Sequence, residues 1–293
     1  MAGAVLLTLT SVPAQNLFVS VYSYNIPFTP SGAINKITPG GVQSLFASGL
    51  SDPMGLAFNS AGDLFQADYY SGNIYEFTPG GAQSLFASGL NVPVALAFNS
   101  ADDLFEADYY SGNIYEFTPD GAKSTFASGL EAPIALAFDS AGNLFEADQG
   151  SGNIYEFTPG GTQSLFASGL DGLYGLAFDS AGNLFEADGG SGNIYEFTPN
   201  GAQSTFASGL SSPDALAFDS AGNLLVADLS GNIYQFAPDG TQSTFASGLE
   251  IPEGLAFQPA PEPSALALLV VGASALLVRR RNSAALFTCK ASL

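Results

Sequence analysis

The stretch GLAFNSAGDLFQADYYSGNIYEFTPGGAQSLFASGL, Gly55 to Leu90, contains one complete structural unit of this chain. Its apolar runs GLAF, LFQAD, NIYEFT and QSLFAS are separated by Gly, Pro, Asn and Ser residues. Short runs rich in Phe, Tyr, Leu and Ile, bounded by turn-forming residues, are typical of β-strands. No stretch inside the unit is long enough for a helix, so the unit is predicted to form four strands.

The same unit recurs along the chain about every forty residues. The block that begins SGNIYEFT at Ser71 returns, slightly altered, at Ser111, Ser151, Ser191 and Ser230, and a diverged copy begins at Ser31. Four strands per forty residues, without a helix, are typical of the blades of a β-propeller. Each of the four strand types occurs six times if NLFVS, from Asn16, is counted as strand two of a blade. The sequence therefore predicts an all-β, six-bladed propeller with four antiparallel strands per blade.

A partial unit, IPEGLAFQP, lies at Ile251 to Pro259. We predict that its strand, residues 255–258, joins the amino-terminal strands two to four, residues 16–47, in a shared blade. Such closure removes free sheet edges, which promote aggregation. The alternative is a degenerate extra unit, which leaves both ends unpaired.

The composition of the 293-residue chain limits its function. The predicted propeller, residues 15–259, is one domain with 26 of the 27 acidic residues and two bases, Lys36 and Lys123. So acidic a surface repels nucleic acid and anionic membranes, and we expect a monomer. The chain has no histidine, and its one cysteine, Cys289, lies outside the propeller. These absences exclude Ser-His-Asp and Cys-His catalysis and His-ligated metal sites, so no catalytic residue is assigned.

The amino-terminal residues 1–14 include the apolar run AVLLTLTSVPA, which ends with small residues at the positions that signal peptidases favour. We interpret residues 1–14 as a signal peptide that lacks the usual basic start. A disordered apolar terminus is the alternative.

The carboxyl-terminal residues 260–281 combine three features: a Pro-Glu-Pro motif, a short apolar run and an arginine cluster. These are Pro261, Glu262, Pro263, then residues 265–278, then Arg279, Arg280 and Arg281. The combination is similar to the PEP-CTERM sorting signal. The resemblance implies export, inner-membrane tethering through residues 264–281, processing by an exosortase, and a cell-surface or extracellular location in a Gram-negative bacterium. The tail, residues 282–293, departs from the pattern, and a permanent membrane anchor is the alternative.

Tyrosines are distributed unevenly over the predicted loops. In a propeller, the loops after strands two and four lie on one face. Five of the twelve tyrosines occupy one strand-three position and are expected to pack between blades: Tyr75, Tyr115, Tyr155, Tyr195 and Tyr234. The other seven lie in or beside loops of the first face, one of them an enlarged loop predicted at residues 21–31: Tyr22, Tyr24, Tyr69, Tyr70, Tyr109, Tyr110 and Tyr174. They indicate a face that binds a saccharide, peptide or small ligand. The alternative is that loops tolerate tyrosine, which also packs on nearby Pro and Phe.

The residue before the Gly or Ala of each innermost strand should point toward the mouth of the central channel. Around the ring these residues are Met54, Val94, Ile134, Tyr174, Asp214 and Glu253. Neighbouring carboxylates repel unless they share a proton or a cation, so Asp214 and Glu253 suggest a site for Ca²⁺ or another divalent cation. Backbone carbonyls and water would have to complete its coordination.

An aspartate follows strand two in five blades: Asp68, Asp108, Asp148, Asp188 and Asp228. A ring of metal ligands is one interpretation. Because the residue recurs in almost every blade, we predict instead that it caps the following loop.

The runs PEGLAF, AFDSAGNLFEAD and GNIYEFTPDG resemble NHL-type repeats and gluconolactonase (senescence marker protein)-like propellers, over the whole predicted propeller. The resemblance implies a divalent metal held by an acid, an asparagine and an aspartate. Glu253 and Asp214 match the two acids, whereas the asparagine position falls on Tyr174 or Ile134. Streptogramin lyases are similar too, but they depend on histidine.

The sequence is therefore consistent with three functions. The first is an exported binding module associated with the cell surface or exopolysaccharide. The second is a lactonase or other hydrolase that uses a divalent metal, with metal-bound water as nucleophile. The third is a structural matrix protein. The incomplete metal-ligand set and the missing histidine favour a protein that is not an enzyme.

Overall fold

Every regular element in the described part of this computed structural model, residues 15–25 and 29–260, is a β-strand. The side chains of residues 24, 25, 29 and 30 are outside the description. The strands are β1 (Leu17–Asn25), β2 (Thr29–Ile37), β3 (Gln43–Leu50), β4 (Pro53–Phe58), β5 (Leu64–Asp68), β6 (Asn73–Phe77), β7 (Gln83–Ser88), β8 (Pro93–Phe98), β9 (Leu104–Asp108), β10 (Asn113–Phe117), β11 (Lys123–Ser128), β12 (Pro133–Phe138), β13 (Leu144–Asp148), β14 (Asn153–Phe157), β15 (Gln163–Ser168), β16 (Leu173–Phe178), β17 (Leu184–Asp188), β18 (Asn193–Phe197), β19 (Gln203–Ala207), β20 (Pro213–Phe218), β21 (Leu224–Asp228), β22 (Asn232–Phe236), β23 (Gln242–Ser247) and β24 (Ile251–Phe257).

The strands form six four-stranded antiparallel sheets, which confirms the six-bladed propeller. Blade 1 has the order β24-β1-β2-β3. Blades 2 to 6 each use four consecutive strands: β4 to β7, β8 to β11, β12 to β15, β16 to β19 and β20 to β23. The first strand of each blade contacts the first strand of the next, so these six strands surround the central channel.

The predicted closure through blade 1 is confirmed. β24 pairs antiparallel with β1, with Phe257 opposite Leu17. The predicted bounds of the closing strand, 255–258, are wrong at both ends, because it runs from Ile251 to Phe257. It begins earlier because Ile251 also pairs with Tyr22, beyond the repeated GLAF segment.

The first and last residues of the propeller make the hydrogen bonds that close the turn between strands one and two in the other blades. In blade 2, the Asn59 amide donates to the carbonyl of Asp63 at 3.0 Å across the turn between strands one and two. In blade 1, the Gln258 amide donates to the carbonyl of Asn16 at 2.9 Å in the same way. The Asn16 side-chain amide also donates to Gln258 Oε1 at 3.0 Å. The joint thus keeps the hydrogen bonds of the turn without its three central residues.

The prediction of a loop at residues 21–31 is wrong, because most of these residues lie in strands β1 and β2 and lengthen their hairpin. Both strands are nine residues long, and their pairing runs from Leu17 opposite Ile37 to Asn25 opposite Thr29. Alternating Val and Tyr in VYSY suit a strand, which explains the extension. Residues 26–28 lie outside the described part.

Phenylalanines pack neighbouring blades together. Phe65 lies edge to face with Phe86 of its own blade and with Phe98 of the next blade, each at a centroid distance of 5.0 Å. The same arrangement recurs around Phe105, Phe145 and Phe185. The strand-three tyrosines lie against these inter-blade clusters, as predicted.

The capping role of the repeated aspartates is confirmed. Asp148 accepts hydrogen bonds from the Ser151 amide at 3.0 Å and from the Glu131 amide at 2.6 Å. Asp68, Asp108, Asp188 and Asp228 make equivalent pairs of bonds. Each aspartate therefore ties together the two loops that its blade contributes to the face with the predicted tyrosines.

We expect Asp148→Ala to lower the free energy of unfolding by about 2–4 kcal/mol, because it leaves two amides without an acceptor. Urea denaturation measures this loss. Glu131→Ala is the matched control, since it removes an exposed carboxylate from the same loop pair but keeps the Glu131 amide. It should change the free energy by less than about 0.5 kcal/mol. Equal effects of the two substitutions would refute the capping role.

Candidate functional site

A β-bulge aims one residue of each innermost strand at the channel mouth. In blade 4, Pro133 pairs with Asp148 and Ala135 with Ala147, so Ile134 is the extra residue. Corresponding register shifts occur in the other five blades. Bulges commonly re-aim a side chain beside a site. The structure brings all six predicted mouth residues to one cavity: Met54, Val94, Ile134, Tyr174, Asp214 and Glu253.

The cavity is small and has two unlike sides. Met54, Val94 and Ile134 form an apolar side, and the polar side includes Asp214 and Glu253. Its volume is about 90 Å³. Pockets that enclose a whole small-molecule ligand usually measure about 300–1,000 Å³. The cavity therefore suits an ion, a few waters or one end of a larger ligand.

A third acid, which the sequence analysis missed, joins the two predicted ones. Asp52 is only 7 % exposed and lies in the loop before β4. Its carboxyl group is hydrogen-bonded to that of Glu253, which requires a proton between them. The equivalent residues of the next four blades are Val92, Ala132, Gly172 and Ser212. Asp52 is thus the one acid among these aligned positions, and that difference was a usable signal.

Burial controls the protonation of these acids. It raises the pKa of Glu253 to about 9, and the charges of Asp52 and Asp214 act in the same direction. Burial raises the pKa of Asp52 to about 6, against the lowering effect of its hydrogen bond with Glu253. Burial also raises the pKa of Asp214 to about 7. Near neutral pH, therefore, the Asp52–Glu253 pair retains a proton.

The residues at the mouth do not match the metal site that the family resemblance implies. In the part of the chain that the structure describes, no group of three or more His, Cys, Asp or Glu residues is arranged to hold a metal ion. At the asparagine position, Tyr174 and Ile134 offer no amide oxygen from a side chain. Asp214 and Glu253 face one cavity, but they lack the third ligand.

Five of the predicted tyrosines form one connected group, which we call the tyrosine arc: Tyr22, Tyr69, Tyr70, Tyr109 and Tyr110. Ring centroids are 6.5 Å apart for Tyr22 and Tyr70, and 4.9 Å apart for Tyr70 and Tyr69. A hydrogen bond joins Tyr69 to Tyr110, whose ring centroid lies 5.2 Å from that of Tyr109. The arc therefore crosses blades 1, 2 and 3 without a break.

Tyr174 is connected to the arc through Gln149, a residue that the sequence analysis did not select. The Tyr109 hydroxyl donates to Gln149 Oε1 at 3.1 Å, and a hydrogen bond joins Gln149 to Tyr174. The Tyr174 ring lies over Gly189, where a Cβ atom would come within 2.7 Å of two ring carbons. Burial, and then the charge of Asp214, raise the pKa of Tyr174.

The arc has an exposed layer over a supporting layer. Tyr70 and Tyr110 are 56 % and 64 % exposed. Tyr69 and Tyr109 are partly buried and pack in the cluster that contains Met54, at the channel mouth. Burial raises the pKa of Tyr69, and its contact with Tyr110 acts in the same direction. The last predicted tyrosine, Tyr24, lies in β1, but its side chain is outside the described part.

Backbone strain occurs directly beneath the arc. Val92 and Ala132 have φ angles of 70° and 73°, in the left-handed region that favours glycine. Their carbonyls accept the amides of Tyr109 and Gln149, each at 3.0 Å. Strain of this kind costs about 1–3 kcal/mol per residue and tends to cluster at functional sites. Two of the three described non-glycine residues with positive φ thus lie on the face that carries the tyrosines, and the third, Asp102, lies in a turn on the opposite face.

Comparisons with known proteins identify the architecture. No family model and no curated protein matches the sequence. A chain in a nidogen/laminin complex superimposes with a TM-score of 0.74 and 18 % identity, covering 84 % of this chain and 99 % of that one. This chain shares that propeller fold.

Two further structures extend the comparison. A gluconolactonase from Xanthomonas campestris has a TM-score of 0.64 at 17 % identity, covering 83 % of this chain and 92 % of its own. A virginiamycin B lyase from Staphylococcus aureus has a TM-score of 0.63 at 14 % identity, with the same coverage of 83 % and 92 %. The predicted likeness to NHL-type and gluconolactonase-like propellers is thus confirmed, and at these identities it concerns the fold alone.

The predicted export features stay predictions. Residues 1–14, the motif at 261–263, the arginines at 279–281 and the tail lie outside the described residues. Within the described ranges, no helix is long and apolar enough to cross a membrane.

Proposed function

We propose that this protein is an exported binding module, associated with the cell surface or exopolysaccharide, that holds a saccharide, peptide or small ligand on its tyrosine arc. The observation that carries the proposal is the continuity of the arc. Five rings from three blades lie side by side on one face, and two of them are largely exposed. Exposed aromatic surface of this kind is typical of binding sites.

The arc is also prepared for binding before a ligand arrives. Tyr69 and Tyr109 are held by packing against a hydrophobic core cluster and by hydrogen bonds to Tyr110 and Gln149. Tyrosine has few rotatable bonds, so ordering its ring at an interface costs little entropy. Rings that are fixed in advance lose still less, which raises the affinity that a given contact area provides.

Export is the second part of the proposal. Its support is the apolar segment at residues 1–14 and the PEP-CTERM-like segment at residues 260–281. The proposed partner is an exosortase-type enzyme of a Gram-negative bacterium. In this proposal only residues 264–281 contact the membrane, and the acidic propeller stays monomeric.

We expect Tyr70→Ala/Tyr110→Ala to weaken binding of the captured ligand at least tenfold, about 1.4 kcal/mol. The full chain is first screened against immobilised saccharides and peptides, and the variant is then compared with the wild type by calorimetry. The melting temperature should hardly change, because both side chains are largely exposed.

Leu45→Ala/Leu85→Ala is the matched control. These residues are 64 % and 58 % exposed, close to the values for Tyr70 and Tyr110, but they lie on outer strands β3 and β7. The control should bind like the wild type. If the tyrosine variant also binds like the wild type, or if both variants lose binding equally, the arc is not the binding face.

A divalent-metal-dependent lactonase is the second candidate. It is favoured by the position of Asp214 and Glu253 at one cavity, in a fold that a gluconolactonase shares. The described side chains lack the full metal-ligand set, so no reaction step is derived. Calorimetric titration with CaCl₂ separates the candidates, since saturable heat and a higher melting temperature would favour the lactonase. A structural role in an extracellular matrix is the function that is left if neither a ligand nor Ca²⁺ binds.

A further inference from the structure

Asp214 lines the channel-mouth cavity without a hydrogen-bond partner. Its side chain is only 8 % exposed, and none of the hydrogen bonds among the described residues involves its carboxylate. Burial of a carboxylate is costly unless the charge is paired or the oxygens receive hydrogen bonds. The cavity therefore presents a strong acceptor that has no donor.

Two neighbouring carboxyl groups share this property in part. Within the described part of the chain, Glu253 Oε2 and Asp52 Oδ1 are buried and receive no hydrogen bond from an amide or hydroxyl group. The charge of Asp214 acts on Glu253, and Glu253 is bonded to Asp52. Asp214 and Glu253 therefore line the cavity with acceptor oxygens to spare, and Asp52 lies next to Glu253 without lining the cavity.

The rest of the same cavity is largely hydrocarbon. Met54, Val94 and Ile134, from three successive blades, line it beside the acids. A hydrated inorganic ion would gain little from these side chains. A ligand with a charged N–H group at the end of an alkyl stem would contact both sides.

We propose that the channel mouth binds the ammonium end of an organic cation. Asp214 and Glu253 accept its N–H hydrogen bonds, and the apolar side contacts its first methylene groups. The inference rests on the proposed binding function and deepens it, because it assigns a chemical class to the ligand of the tyrosine face.

The dimensions and the charge of the molecule agree with this ligand. A cavity of about 90 Å³ is too small for a whole organic ligand but suits one end of it, such as an ammonium group with its first methylenes. The remainder of the ligand then lies across the tyrosine arc, whose rings attract both cations and hydrocarbon. The surplus of acidic residues raises the local concentration of cations.

The test uses the full chain and n-butylammonium chloride, titrated calorimetrically at constant ionic strength. We expect saturable binding that is at least tenfold weaker in Asp214→Asn/Glu253→Gln. The control Asp120→Asn/Asp239→Asn makes two acid-to-amide changes in exposed turns and should bind like the wild type. Tetramethylammonium has the charge but no N–H group, and we expect its affinity to be at least tenfold lower.

Several results would overturn the inference. One is equal butylammonium affinity in the two double variants, and another is equal affinity for tetramethylammonium. A third is CaCl₂ heat that depends on Asp214 and Glu253, without any heat from butylammonium, which would assign the mouth to a metal ion. If the double variant does not fold, as judged by circular dichroism, Asp214→Asn alone replaces it.

Failure of this inference and failure of the proposed function give different results. Butylammonium is too short to depend on the exposed rings, so Tyr70→Ala/Tyr110→Ala should bind it like the wild type. If butylammonium binds as expected but no ligand depends on Tyr70 and Tyr110, only the proposed function is refuted. If a ligand depends on these tyrosines but butylammonium does not bind, only the cation site is refuted.

Discussion

A chain that ends at Glu250 is expected to lose the cooperatively folded propeller. It lacks β24, which pairs with β1 and contacts the innermost strands β4 and β20 on either side. Leu255 and Ala256 contribute to two different inter-blade clusters. The expected loss is comparable to the total stability of a domain, about 5–15 kcal/mol. The truncated chain also exposes the inner edge of β1, so it should associate with itself.

Thermal melting by circular dichroism, together with size-exclusion chromatography, tests this expectation. The matched control ends at Ala260 and keeps β24 and both hydrogen bonds between Gln258 and Asn16. It should melt like the full chain and elute as a monomer. If the chain ending at Glu250 melts at the same temperature as this control, β24 does not close the ring.

A circular permutant tests the same joint by connecting it covalently. Joining Gln258 to Asn16 through Ser-Ala-Gly recreates the three central residues of the Asn59–Asp63 turn. New ends between Gly80 and Gly81 lie in an exposed turn. We expect this permutant to fold with a melting temperature at least equal to that of the control. Failure to fold would mean that Gln258 and Asn16 are not held as the structure places them.

The second large effect is expected from Glu186→Gln, which should stabilise the protein above pH 5. Glu186 in β17 is fully buried, and within the described part neither of its carboxyl oxygens has a hydrogen-bond partner. Burial, with the charge of Asp188 in addition, raises the pKa of Glu186 to about 9. Glu106 and Glu146 occupy the same position in blades 3 and 4, and burial raises their pKa values too.

The direction of the pH dependence follows from proton binding. The folded state keeps the Glu186 proton at a pH where the unfolded state, with a pKa near 4.5, has released it. The contribution of Glu186 to stability is therefore greatest below pH 4.5, falls as the pH rises from 4.5 to about 9, and is then constant. At about 1.4 kcal/mol for each pH unit, the cost at pH 7 is on the order of 3 kcal/mol.

Urea denaturation at pH 5, 7 and 9 measures this effect. The Glu186→Gln variant should gain stability over the wild type as the pH rises, because glutamine has no proton to lose. Blade 2 already carries Gln66 at this position, and blade 6 carries Val226, so the fold accepts neutral residues there. The control is Glu196→Gln, on the half-buried strand-three position of the same blade. A gain that is independent of pH, or equal in the control, would contradict the explanation.

Repetition made the fold predictable from the sequence. Equal numbers of the four strand types required that residues 251–259 complete the blade begun by residues 16–47, and the sheet order confirms this. The errors occurred in blade 1. Ile251 occupies the position of Asp52 but lies in a strand because it pairs with Tyr22, and β1 extends to Asn25 because it pairs with β2.

The site was predictable only in part, because most of its contacts are non-local. The alignment of repeats predicted the six mouth positions, since the same bulge occurs in every blade. It could not predict that Glu253 bonds to Asp52 instead of Asp214, because the two residues come from opposite ends of the propeller sequence. The buried glutamates were missed for a different reason. Glu106, Glu146 and Glu186 alternate with apolar residues in LFEAD, as exposed strand residues do, and only packing against the neighbouring blade buries them.

The sequence by itself determined the number of blades, the closing strand and the face that carries the tyrosines, because each of these follows from counting a repeated local pattern. Only the tertiary structure decided which side chains meet across blades. It joined the tyrosines into one arc and paired Asp52 with Glu253. It also left Asp214 buried without a donor. Each of these contacts arises when neighbouring sheets pack around a common axis, at distances that no local pattern encodes.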